Sequence, residues 1–201
     1  MRATLLISIV IVIVFLLQIA FEGMTEYFLL DSTELIARPW ILITSMFLHG
    51  GITHLIYNLL ALVIFGLILE NIIGTRRFWI LYFAGGIIAG IAAAILYPAS
   101  LGASGAIFAV LGTLAVLRPR MIVWTMYIPL PMAIAAIVWI AIDLIGIIAP
   151  SGTANAAHIA GLLFGVIVGF ALRKRHGERA APHIPGTLSE RQFKKWEDEW
   201  M

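Results

Sequence analysis

Six apolar runs, separated by short charged or glycine-rich breaks, constrain the fold of this chain more than any other feature of its sequence. We place the runs at 4–21, 52–69, 78–97, 104–117, 131–148 and 155–172. A helix needs about 20 apolar residues to cross the hydrocarbon layer of a bilayer, and only the fourth run is much shorter than that. A mean hydropathy of +1.03 with 12% charged residues excludes an ordinary soluble domain. We therefore predict an all-α, polytopic membrane protein: a six-helix bundle with a short central fourth helix.

The charged residues between the runs predict how the chain is oriented. One side of the predicted bundle carries the basic residues Arg2, Arg76, Arg77, Arg118, Arg120 and the cluster 173–179. The opposite side carries Glu22, Glu26, Asp31, Glu34 and a single cation, Arg38. Because cytoplasmic loops carry an excess of Lys and Arg, we predict a multi-pass protein of the cell membrane with both termini cytoplasmic and residues 22–51 external.

Two segments leave alternatives open. Arg2 followed by an apolar run is also typical of a secretory signal peptide. The stretch "QIAFEG" offers no clear small-x-small cleavage site, and removal of the first run would invert the charge pattern, so we expect a retained span. Residues 22–51 mix acids with aromatic and aliphatic residues, which suits either a substrate gate or a loop that dips into the headgroup region.

The chain divides into a membrane domain, residues 1–172, and a cytoplasmic tail, residues 173–201. The tail begins as a basic linker, and Ser189 followed by Gln192 is a capping-box pattern that predicts a short amphipathic helix after it. A net charge of +2, with the basic residues in short clusters, gives no indication of nucleic-acid binding. The absence of cysteine in this sequence excludes a thiolate metal site and a cysteine nucleophile.

Polar side chains at membrane depth are costly and usually face a bundle interior or a water-filled cavity, so each is a candidate functional residue. The candidates are His49, His54, Asn58, Ser104, Asp143, Asn155 and His158. At a rise of about 1.5 Å per residue, Ser104 and His158 lie roughly 20 and 21 Å above the cytoplasmic ends of their runs. Asn58 lies at roughly 17 Å, with His54 about one helical turn higher. These residues meet in one slab about 10 Å below the external surface of a layer about 30 Å thick.

The fourth run begins at Ser104 and is too short to cross the bilayer alone. The preceding "YPASLGA" must therefore enter the membrane as non-helical backbone, which is tolerated only against protein or around water. This predicts a water-filled pocket, open to the outside, with Ser104 at its floor. The free N–H groups and the dipole of a helix N-terminus favour a developing negative charge there.

Small residues indicate how Ser104 and His158 could approach each other. Glycines recur at four-residue spacing on the sixth run, and a similar small face follows Ser104 on the fourth: Gly161, Gly165 and Gly169 against Gly102, Gly105, Ala109 and Gly112. Such faces let helix backbones touch. A lone membrane serine usually bonds a backbone carbonyl, and a lone histidine usually packs, but at matched depth the pair is better explained as a nucleophile and its base.

Four segments in this order and spacing carry a family resemblance: "ARPWILITSMFLHGGITHLIYN", "ENIIGTRRF", "GASGAIFA" and "AHIAGLLFG". On these motifs the chain resembles the rhomboid intramembrane serine proteases across its six runs. The resemblance implies that Ser104 attacks the substrate carbonyl and that His158 acts as base and then acid, in a dyad without a carboxylate. It further implies an oxyanion hole made of His54, Asn58 and the Ser104 backbone N–H. Supporting positions are His49, Phe108, Gly102 and Gly161, with Phe108 standing where the family often has a tyrosine that stacks on the histidine.

Asp143 is the one acid in the predicted interior that could orient the histidine as in a triad. It sits about five residues from the external end of its run, and we expect it to face water or to pair with a neighbour. The predicted function is therefore a serine endopeptidase, without metal or cofactor, that cleaves transmembrane segments of other proteins within the lipid bilayer. No oligomeric state is predicted.

Two rival functions belong to other classes. A catalytically silent, rhomboid-like binding protein would be expected to lack Ser104 or His158, and both are present. A metal-dependent membrane hydrolase or transporter could use His49, His54 and His158 as zinc ligands. The first two histidines are five residues apart, which is not the His-Glu-x-x-His helix spacing, and no nearby carboxylate completes the set.

Overall fold

The computed structural model describes residues 2–125, 127–149 and 152–177. The helix predicted after Ser189 and most of the basic linker lie outside these residues. The helices are α1 (Ala3–Ala20), α2 (Met24–Phe28), α3 (Ile41–Thr44), α4 (Ile52–Ala61), α5 (Leu67–Ile73), α6 (Thr75–Leu96), α7 (Ser104–Leu117), α8 (Met132–Ile148) and α9 (Asn155–Gly177).

Within the described residues, four helical stretches are long and apolar enough to cross a membrane. They are α1, the stretch Ile52–Ile73, α6 and the first part of α9. In Ile52–Ile73 the wider turns of a π-helical segment, Leu62–Gly66, join α4 to α5. Two further apolar helices, α7 and α8, are shorter. The prediction of a mainly helical membrane fold is confirmed, and the crossing of the bilayer by all six runs stays a prediction.

The part of the chain that the structure describes contains two small antiparallel sheets that the all-α prediction omitted. In the first, β1 (Leu30–Asp31) pairs with β2 (Ala99–Ser100). In the second, β3 (Ile122–Thr125) pairs with β4 (Ile128–Pro131). Strands of two to four residues are too short to show the alternating pattern from which a strand is predicted. The first sheet ties the loop after α2 to the segment that leads into α7.

The short helix α7 forms the centre of the fold, packed against α6, α8 and α9. From Gly105 to Val116 every residue except Phe108 is buried. The predicted small faces do meet: a Cβ atom on Gly161 would overlap the carbonyl oxygen of Gly105, and one on Gly165 would overlap that of Ala109. The backbones of α7 and α9 are therefore in direct contact, which fixes the separation of the residues they carry.

A buried carboxylate fastens the start of α1 to the rest of the bundle. Glu70 accepts hydrogen bonds from the backbone N–H groups of Ala3 at 2.8 Å and Thr4 at 3.0 Å. The hydroxyls of Thr4 and Thr75 donate to the same carboxylate, each at 2.7 Å. The first N–H groups of a helix have no partner within the helix, and a negative charge there also complements the helix dipole. Glu70 thus caps α1 from a neighbouring helix.

The loop between α1 and α4 contains the short elements α2, β1 and α3, and side-chain contacts connect parts of it. Arg38 forms an ion pair with Glu34 at 2.8 Å and donates to the carbonyl of Tyr27 at 3.0 Å. The hydroxyl and the N–H of Thr33 donate to Asp31 and lower the pKa of this carboxyl. These contacts give the loop internal order. They are compatible both with a substrate gate and with a loop that dips into the headgroup region.

Candidate active site

Ser104 is the first residue of α7, and the chain enters the helix through a constrained turn. Gly102 has φ +122°, in the left-handed region that favours glycine, and its N–H donates to the carbonyl of Ser45 at 2.9 Å. A Cβ atom on Gly102 would come within 2.8 Å of the His54 ring. Gly102 is therefore required both by its conformation and by the close approach of that histidine.

His158 lies in the first turn of α9, with its ring directed at Ser104. Its Nε2 atom is 2.8 Å from the Ser104 hydroxyl oxygen. The imidazole stacks on the ring of Phe108, with centroids 4.3 Å apart and an interplanar angle of 6°. The hydrogen bond and the stacking together hold the imidazole with one nitrogen available to accept a proton from the hydroxyl. Phe108 takes the stacking position that the resemblance assigned to it.

Asp143 contacts the other nitrogen of the same imidazole. Its Oδ1 atom is 3.0 Å from His158 Nδ1, and the residue is only 5% exposed. The resemblance implied a histidine without a carboxylate partner, whereas the structure places a carboxylate beside it. Asp143 was expected to face water or to pair with a neighbour, and it pairs with His158. The physical reason is that Asp143 lies on the face of α8 that packs against the bundle. The residues at helical spacing along this face are Met132, Ala136, Trp139 and Asp143.

His54 and Asn58 lie one turn apart on α4 and line the same cavity as Ser104 and His158. The Asn58 side-chain amide donates to the carbonyl of His54 at 2.9 Å. A side-chain amide has two donor hydrogens, so the second is available for a ligand. The ring of His54 accepts a long hydrogen bond, 3.4 Å, from the N–H of Gly50 through Nδ1. Its Nε2 atom is therefore the ring nitrogen available to hydrogen-bond a group in the cavity.

His49 is buried behind His54 and is fixed by a residue that the sequence analysis missed. The two imidazole rings meet edge to face, with centroids 5.0 Å apart. The Gln18 side chain accepts from the His49 N–H at 3.0 Å and donates to the His49 carbonyl at 3.3 Å and to the Thr25 hydroxyl at 2.9 Å. Gln18 lies near the end of an apolar run, where a polar residue is ordinary, so no local pattern indicated its role. Gln18 connects α1 to the turn that precedes α4.

Two adjoining cavities surround these side chains. The larger, about 820 Å³, extends from Ser104 between α4 and α8 to Phe65 and Trp139. The second, about 480 Å³, lies beside Tyr97 and Pro98 and shares His54 with the first. A serine hydroxyl, its imidazole partner and several unused N–H donors thus face one space large enough for a segment of extended peptide.

Comparison with known proteins gives consistent results. A model of the rhomboid domain matches residues 37–175. The chain is 39% identical over 139 residues to RHOMBOID-like protein 6, mitochondrial, of Arabidopsis thaliana, covering 67% of this chain and 44% of that protein. It is 39% identical over 137 residues to the rhomboid protease GluP of Bacillus subtilis, covering 66% and 26%. It is also 41% identical over 76 residues to the putative rhomboid protease YdcA of the same bacterium, covering 36% and 38%. The aligned part spans less than half the length of each of these relatives.

Proposed function

Because this chain belongs to the rhomboid family of integral membrane proteins, we propose that it is an intramembrane serine endopeptidase with Ser104 as nucleophile and His158 as general base and acid. The observation that carries the proposal is the 2.8 Å contact between His158 Nε2 and the Ser104 hydroxyl at the N-terminus of a buried helix. A nucleophile and a base within hydrogen-bond reach are the minimum requirement for acyl transfer. Two relatives whose names include rhomboid protease support the same reaction class.

The proposed reaction proceeds by two acyl transfers. His158 Nε2 takes the hydroxyl proton as Ser104 Oγ attacks the substrate carbonyl carbon, and the carbonyl oxygen becomes an oxyanion. The proton then passes to the leaving amine, the peptide C–N bond breaks, and an ester with Ser104 remains. Water, deprotonated by the same imidazole, hydrolyses the ester and restores the hydroxyl.

Donors around the cavity are suited to the oxyanion. The N–H of Ser104 belongs to the first turn of α7, where backbone N–H groups have no partner within the helix. We assign His54 and the free amide hydrogen of Asn58 as the two side-chain donors. Donors already aimed at the position where charge develops stabilise the transition state without reorganisation.

The proposed substrates are transmembrane segments of other proteins. The larger cavity lies between two helices and is lined by apolar side chains below the catalytic pair, which suits a peptide that approaches from the bilayer. A helix must unwind locally before its peptide bond can reach Ser104, so segments with small or helix-breaking residues are expected to be preferred. We propose that the site opens to the external side and that both termini are cytoplasmic.

The test of the activity is proteolysis of a panel of transmembrane substrates by the purified protein in detergent. We expect Ser104→Ala and His158→Ala to abolish cleavage and Ser104→Ala to abolish labelling by a fluorophosphonate. Ser8→Ala is the matched control, because it removes the same hydroxyl group from a serine that bonds the carbonyl of Thr4 on its own helix. Full cleavage by Ser104→Ala would overturn the proposal, and binding of substrates without cleavage by the unmodified protein would favour the silent binding protein.

The orientation has a separate test that the absence of cysteine in the sequence makes simple. Thr33→Cys and Arg120→Cys each introduce a single thiol on opposite predicted sides. A membrane-impermeant maleimide applied to intact cells is expected to label the first and to leave the second unlabelled. The reverse pattern would overturn the assignment.

A further inference from the structure

We infer that Asp143 is a positioning residue for the proposed reaction, completing a hydrogen-bonded chain from its carboxylate through His158 to the Ser104 hydroxyl. This inference rests on the proposed function, and it departs from the serine–histidine dyad that the family resemblance implies. The geometry supports it directly: the two nitrogens of one imidazole lie 3.0 Å from the Asp143 carboxylate and 2.8 Å from the serine oxygen.

The carboxylate determines which imidazole nitrogen carries the proton. An ionised carboxylate only accepts hydrogen bonds, so the 3.0 Å contact requires that Nδ1 carry the hydrogen. Nε2 is then left with its lone pair toward Ser104, which is the tautomer that a general base needs. Without the carboxylate, nothing among the described contacts of His158 selects that tautomer, since the stacked Phe108 ring is indifferent to it.

The burial of Asp143 favours this role over packing alone. A carboxylate costs free energy in apolar surroundings unless it is paired. Among the described residues, His158 supplies the one hydrogen bond to this carboxylate. An apolar side chain would fill the same position on α8 at lower cost, so the pairing with His158 is what explains an acid there.

Packing next to the pair keeps the two helices in register. One turn beyond Asp143, a Cβ atom on Gly146 would come within 2.7 Å of the Asn155 carboxamide. Asn155 begins α9, only three residues before His158, and its amide donates to the carbonyl of Thr153. The glycine therefore lets the start of α9 lie against α8, and that contact fixes the distance from carboxylate to imidazole.

Asp143 takes no proton in the proposed cycle. The serine proton moves to Nε2 and forms an imidazolium, whose Nδ1–H stays on that nitrogen and donates to the carboxylate. The proton on Nε2 then leaves with the amine. The negative charge of Asp143 stabilises the imidazolium while it exists, and this stabilisation acts on the chemical step more than on substrate binding.

The first test compares kcat and KM of Asp143→Asn with those of the unmodified protein. We expect kcat to fall by about 100-fold or more, with KM nearly unchanged, because the amide is neutral and can present its NH₂ group to Nδ1. Leu144→Asn is the matched control, since it adds the same amide one residue along α8 at an exposed position. It is expected to keep kcat, and thermal unfolding reports the folded state of both variants.

The second test does not depend on the folding of any Asp143 variant. Nitrogen-15 spectra of the histidine rings of the unmodified protein in detergent, assigned by His158→Ala, report which nitrogen of His158 is protonated. We expect the hydrogen on Nδ1. A hydrogen on Nε2, or unchanged kcat in a folded Asp143→Asn protein, would overturn the inference and leave the proposed function standing as long as Ser104→Ala is inactive. Activity in Ser104→Ala would instead overturn the proposed function itself.

Discussion

Substitution of Gly161 by alanine is expected to disable the active site through the backbone, without changing any side chain that touches the substrate. The added Cβ atom would overlap the carbonyl oxygen of Gly105 on α7. Gly105 follows Ser104 directly, and Gly161 is one turn from His158, so the overlap lies at the level of the proposed catalytic pair. Neither contacting group is a flexible side chain, and the helices must separate.

The size of the effect follows from the distances. Carbon and oxygen atoms approach to about 3.3 Å in ordinary contacts between helices, and relief of the overlap requires a separation of about 1 Å. That movement would lengthen the 2.8 Å contact between His158 and Ser104 beyond the usual hydrogen-bond range. A misplacement of about 1 Å can cost about 100-fold in rate, and overpacking of this kind typically costs about 1–3 kcal/mol of stability.

The assay measures kcat/KM, with the concentration of active sites determined by titration with a fluorophosphonate. Thermal unfolding measures the stability of each variant. Gly169→Ala is the matched control, because its Cβ atom would meet Val116 at 2.8 Å, on the same helices but about 16 Å below His158. We expect Gly161→Ala to lose about 100-fold in kcat/KM and Gly169→Ala to lose stability with little loss of rate. Equal rates in the two variants would refute the idea that α7–α9 contact positions the catalytic pair.

Three further predictions concern residues around the site. Glu70→Gln places an amide opposite the donors at the start of α1, and we expect the free energy of unfolding to fall by roughly 1.5–3 kcal/mol in thermal or denaturant unfolding; no change would contradict the capping role. Phe108→Ala removes the ring stacked on His158, worth about 0.5–1.5 kcal/mol, so kcat should fall about two- to tenfold while Phe108→Tyr keeps it. Gln18→Leu leaves the N–H and carbonyl of His49 without their partner, so the midpoint of thermal unfolding and kcat should both fall. An unchanged kcat would show that the hydrogen bonds between Gln18 and His49 do not contribute to catalysis.

The sequence was sufficient to predict the level of the main polar residues along their helices. Counting residues at a fixed rise placed Ser104 and His158 at one depth, and the structure brings these two side chains into contact. The same counting says nothing about rotation around a helix axis. Asp143 was placed near the correct depth, but its direction depends on which face of α8 packs on α9.

Other features depend on contacts between segments far apart in the chain. Gln18 lies at the end of an apolar run, where a polar residue is ordinary, and its bonds to His49 cross 31 positions. The pairing of β1 with β2 likewise joins two-residue strands separated by several helices. Neither has a local pattern, so neither could be predicted from periodicity or spacing.

The shortness of α7 has a consequence for biosynthesis. Its 14 residues extend about 21 Å, against a hydrocarbon layer of about 30 Å, so this segment has no stable position in lipid until neighbouring helices surround it. The histidine arrives still later in translation, because α9 follows every other described helix. A nascent chain therefore carries Ser104 before the histidine proposed as its base has been made. Under the proposed function, hydrolysis begins only once α9 has joined the bundle.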